Sequence, residues 1–126
     1  AGAEAFLRFF FDQLNVAWTK PDAHALDGLC RTGDKICDGF RQVAVDLTSS
    51  RWHYATTPLT LKSLAVKGGS EMQPRAEVVQ VQNAGLIVNE VGKTQQKVEA
   101  TTLHLAYYLE WKSGAWRVTK ILRSLA

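Results

Sequence analysis

The chain has 126 residues, 46% of them hydrophobic and 21% charged, with nine glycines and three prolines, which suits a single folded domain spanning 1–126 and excludes a disordered or low-complexity chain. Its formal charge of +3 is too small an excess to mark a nucleic-acid binder. The most apolar early run, "AFLRFFFDQL", is broken by Arg8 and Asp12, so it is neither a membrane span nor the core of a signal peptide.

The first element predicted is an amphipathic helix over 3–18. Phe6, Phe10, Leu14 and Ala17 follow one apolar row and Leu7, Phe11, Leu14 and Trp18 the next, with Arg8, Asp12 and Asn15 on the wet side. So broad and aromatic a face needs a large cover, and a curved sheet supplies one. "TKPDAHALDGLC" places Pro21 and Asp22 where a helix start tolerates them, predicting a short second helix to about Leu29. Phe40, Val43, Ala44 and Leu47 then space a third helix from Asp38 to about Ser49.

After Pro58 the pattern turns to alternation. "LTLKSLAVKGG" reads as a strand, with "VKGGSE" leading into a hairpin loop. "PRAEVVQVQNAGLIVNEVG" reads as a long strand whose alternation slips at 83–85, the mark of a bulge or bend. "VEATTLHLAYYLEW" sets Leu103, Leu105, Tyr107, Leu109 and Trp111 on one face and Thr102, His104, Ala106, Tyr108 and Glu110 on the other. A turn around Gly114 leads to the last strand, "WRVTKILRSL". Three helices followed by a meander of strands make an α+β chain with an antiparallel sheet.

This order, ending in "YYLEWKSGAWRVTKI", resembles the nuclear-transport-factor-2-like (cystatin-like cone) superfamily, in which a strongly bent sheet wraps the first helix. Trp111, Gly114, Trp116, Arg117 and Val118 match the pattern of its closing hairpin. The aromatic first helix combined with the two cysteines, Cys30 and Cys37, is similar to an uncharacterised family of actinobacterial exported lipoproteins. That resemblance implies an extracytoplasmic domain tethered through a segment preceding Ala1. It also implies a disulfide between Cys30 and Cys37, closing a small loop worth roughly 2 kcal/mol. The residues alone leave two reduced, buried thiols as the alternative, and the spacing is not that of a zinc or C-x-x-C redox motif.

Function is less legible. His24, His53 and His104 are scattered and form no ligand pair, and no phosphate loop or nucleophile motif occurs, so neither metal nor cofactor is implied. The preferred reading is a non-enzymatic domain that binds a small apolar ligand in its cone, against Phe6, Phe10, Trp18, Tyr107 and Trp111, or a protein partner across its sheet. A homodimer is among the partners this allows. The basic residues Lys112, Arg117, Lys120 and Arg123 read as a solvated edge. The resemblance also implies an alternative, an isomerase- or dehydratase-like enzyme with Tyr107 as hydrogen-bond donor and Asp12 or Glu110 as base. A scaffold subunit of an envelope or secretion assembly is the third reading.

Overall fold

The structure is a computed structural model that describes residues 2–31 and 33–123. Helix α1 (Gly2–Thr19) buries Leu7, Phe10, Phe11, Leu14, Ala17 and Trp18 along the predicted stripe. It stops where Pro21 can no longer supply a helical N–H. Asn15 departs from expectation. Instead of facing water it is half-buried, and its amide clasps the backbone of Leu59, donating from Nδ2 to the carbonyl at 3.0 Å and accepting from the N–H at 2.9 Å.

The second predicted helix does not form, so two helices stand where three were expected. Residues 20–29 instead make consecutive tight turns. Ala25, Asp27 and Leu29 each donate to the carbonyl three residues back, and His24 N–H donates to Asp22 Oδ1. Eight residues are too few to offset the cost of helix nucleation, and Gly28, at φ 77°, leaves helical geometry outright. The expected third helix begins earlier than predicted, as α2 (Lys35–Ser50), because Asp34 serves as its N-cap and accepts from Cys37 N–H at 2.9 Å. Cys37 therefore sits in its first turn.

Strands β1 (Trp52–Tyr54), β4 (Gly85–Asn89) and β5 (Thr94–Val98) form one antiparallel sheet. Strands β2 (Leu59–Gly69), β3 (Pro74–Gln82), β6 (Thr101–Lys112) and β7 (Ala115–Arg123) form a second, in the order β2-β3-β6-β7. The long strand predicted over 74–92 is two strands, β3 and β4, in different sheets. Asn83 makes the corner, its N–H donating to Pro58 O and its Nδ2 to Thr57 O and Thr60 Oγ1. The pairs β3–β6 and β4–β5 are thus two arms of one sharply bent ribbon, with α1 in its hollow. Ser113 (φ 54°) and Gly114 (φ 79°) supply the two left-handed residues of the β6–β7 turn.

Cys30 and Cys37 are joined in a disulfide, with Cα atoms 6.3 Å apart. The bond fixes a segment that would otherwise be loop. Arg31 N–H donates to Val118 O and Val118 N–H to Leu29 O, both at 2.7 Å, so residues 29–31 lie parallel along β7. Asp34 Oδ1 accepts from Ile121 N–H at 3.2 Å. Three polar groups on the outer edge of the last strand are thereby satisfied by the stapled loop, which covers an edge open to pairing with other chains.

Candidate functional site

Inside the bent sheet the aromatic side chains fill the space against one another. Phe10 meets Tyr107 edge-on at 6.0 Å between ring centroids and Phe11 nearly perpendicular at 6.1 Å, while Phe11 lies 5.8 Å from Tyr107. Phe6, half-buried, reaches Phe10 at 6.4 Å. Farther along α1, Trp18 stacks on Tyr54 at 5.7 Å, meets Phe40 edge-on, and donates its indole N–H to Phe40 O. Each such pair adds about 0.5–1.5 kcal/mol beyond area burial.

One polar contact crosses this core. Tyr107 Oη donates to Gln80 Oε1 at 2.7 Å, and both side chains are fully enclosed, at 0% and 1% exposure. Burial, reinforced by the charge of Asp34, holds the Tyr107 hydroxyl far above its ordinary pKa. It is a fixed neutral donor satisfied by its partner. Gln80 escaped the sequence reading because "EVVQVQ" places valines on both faces of β3, so alternation cannot say which face turns inward. The two carboxylates considered as bases lie elsewhere. Asp12 is exposed on the far side of α1. Glu110 accepts from Nε and Nη2 of Arg117, both at 3.0 Å, on the outer face of β6.

Of the five aromatic residues considered for binding, Phe6, Phe10 and Tyr107 come together, and Trp18 belongs to a second cluster. Trp111 belongs to neither. It is 37% exposed and packs edge-on against Trp116 across the β6–β7 turn at 5.3 Å. The backbone N–H of Trp111 donates to Met72 O at 2.8 Å, which ties this hairpin to the β2–β3 loop. Met72 and Val66 are exposed there at 52% and 45%. Beside them opens a cleft of about 560 Å³, walled by the start of α1, Val66, Pro74 and Trp116, with Glu4 and Glu71 at its polar margin. Trp116 forms one wall so closely that a side chain at Gly2 would stand 2.8 Å from its Nε1. An apolar Met72 within the polar loop "KGGSEMQP" is the sequence signal for this surface.

Among the described residues no group of three or more histidines, cysteines and carboxylates is placed to hold a metal ion, and no helix is long and apolar enough to cross a membrane.

No protein-family model matches the chain, nor does any curated protein sequence. Solved structures do resemble it. The intermembrane space region of the chloroplast protein ARC6 is similar with a TM-score of 0.59 at 15% identity, over 98% of this chain and 95% of that one. The association domain of C. elegans CaMKII gives 0.58 at 14% identity, over 98% and 95%. An uncharacterised protein with a cystatin-like fold from Caulobacter vibrioides gives 0.58 at 12% identity, over 97% and 87%. At these identities the likeness concerns architecture alone, an α+β arrangement of two helices and a curved antiparallel sheet of the cystatin-like kind.

Proposed function

We propose that the protein is a non-catalytic extracytoplasmic domain, tethered outside the membrane, that engages a protein partner through the cleft at the open end of its cone. The observation that carries this reading is the contrast between a packed interior and an exposed Trp111, resting on half-buried Trp116, beside exposed Met72 and Val66 and a cleft walled in part by Val66, Pro74 and Trp116. Large aromatic and methionine side chains left in water at the meeting of two hairpins form the kind of anchor on which interfaces concentrate their binding energy. The cleft is open and no basic side chain lines it among the described residues, whereas a site for an apolar small molecule encloses most of its ligand's surface. A second protein surface is the better-matched occupant.

The Cys30–Cys37 bond supports an oxidising compartment, where such bonds persist. The same architecture serves as an association domain in the C. elegans kinase, which accords with a role in assembly.

Site-specific photo-crosslinking in the source cells tests the proposal. A photoreactive residue replacing Met72 is expected to capture one discrete protein, and Trp111→Asp is expected to abolish that capture. A probe replacing Val45, exposed on α2, serves as control. No capture from position 72, or capture indifferent to Trp111→Asp, would overturn it.

A further inference from the structure

A second cleft, of about 650 Å³, lies against the disulfide-stapled loop and is lined by Arg31, Arg41, Arg117, Asp27, Gly28 and Cys30. Three elements deliver its arginines: the stapled loop, α2 and β7. We infer that this cleft binds a phosphate group.

The argument rests on what each guanidinium has left to give. Arg117 uses one side, Nε and Nη2, on Glu110, which leaves its Nη1 end uncommitted. Arg41 meets Asp38 only loosely, at 3.7 Å from Nη1, and its Nε is buried without an acceptor among the described residues. Arg31 forms no ion pair among the described residues, its main chain being held on β7 while its side chain is exposed. The carboxylate in the lining, Asp27, is engaged by His24 Nδ1 at 2.9 Å.

A carboxylate is satisfied by one bidentate arginine. Donors converging from three sides suit the tetrahedral, multiply charged phosphate instead. The cleft is larger than a phosphate ion and open to solvent, so it accommodates a substituent on the phosphate. Free phosphate esters and the headgroup of an anionic phospholipid share this chemistry.

The test uses the intact, oxidised protein, inorganic phosphate as one probe, and phosphatidylcholine vesicles with or without phosphatidylglycerol as the other. Calorimetry and vesicle co-sedimentation are run on the wild type, Arg31→Gln, Arg41→Gln and, as a control, Arg51→Gln, whose side chain is exposed near Glu90. Loss of one charge-assisted bond is expected to weaken binding about tenfold in the first two variants and to leave the control unchanged. Saturable phosphate binding with this pattern supports a soluble ligand. Binding only to phosphatidylglycerol vesicles, with the same pattern, supports a headgroup. Binding to neither probe, or equal weakening by Arg51→Gln, overturns the inference.

Discussion

Asn15 on α1 and Leu59 at the start of β2 are joined by two hydrogen bonds, with one side-chain amide meeting both the N–H and the C=O of a single backbone residue. An amide is the one small side chain able to donate and accept at once in this geometry, so α1 is registered against the edge strand by a specific pair as well as by apolar packing. Asn15→Asp removes the donor and sets a carboxylate against the Leu59 carbonyl. It is expected to cost about 1–3 kcal/mol, read as a lowered urea midpoint with an unchanged slope. Stability equal to wild type would show that water replaces the clasp without loss.

The Tyr107–Gln80 pair predicts a non-additive response. Tyr107→Phe leaves Gln80 Oε1 without its donor in a dry core and is expected to cost about 1–3 kcal/mol. Adding Gln80→Leu removes the stranded acceptor, so the double variant is expected to be more stable than the sum of the two single changes implies. A double-mutant cycle by chemical denaturation measures the coupling, and strict additivity would mean the bond carries no energy of its own.

The same hydroxyl sets a pH limit. Tyr107 has a folded pKa raised far above that of an unfolded tyrosine, about 10. Above that pH the unfolded chain loses this proton while the folded one keeps it. Stability contributed by this group is therefore present below about pH 10 and falls as pH rises further. Tyr107→Phe is expected to flatten that decline, as followed by denaturation at successive alkaline pH values.

His24 behaves as a surface reporter. Its hydrogen bond to Asp27, and then the charge of the same carboxylate, raise its pKa above the ordinary imidazole value. The proton is held more tightly in the folded chain, so the associated small stabilisation is present at low pH and is lost as pH rises through the folded pKa. NMR titration is expected to give a midpoint above 6.5, and Asp27→Asn to bring it down.

Replacing both Cys30 and Cys37 by serine is expected to cost about 2 kcal/mol from the small ring. The amides of Val118 and Ile121, which bond to the stapled loop, should lose hydrogen-exchange protection more than those of β3. Uniform loss of protection would mean that the ring stabilises the fold without locally fastening the β7 edge.

Long periodic elements were legible in the sequence. The stripe of α1, the bounds of β2 and the turn at Ser113–Gly114 follow from apolar spacing and glycine chemistry. The short strands β1 and β5 were not, because three and five residues give alternation too little length to register. Residues 20–29 carried helix-start chemistry yet lacked the length to propagate it. At the candidate site the sequence named Trp111 but assigned it to the interior, since period two places Trp111 with Tyr107 and Leu109 and says nothing of where the sheet ends. Asn15 and Gln80 were missed for a common reason: the need for each polar side chain is set by a backbone or hydroxyl group brought to it from far along the chain.

The stapled loop also bears on the order of assembly. Cys30 and Cys37 are seven residues apart, so their ring closes through local contact, whereas Asp34 and Ile121, which meet at the same edge, are separated by 87. A chain emerging N-terminus first can complete the ring long before β7 exists. The oxidised loop then waits as a preformed template, and the last strand arrives to a rail already laid, which reduces the entropy lost in closing the long loop between Asp34 and Ile121.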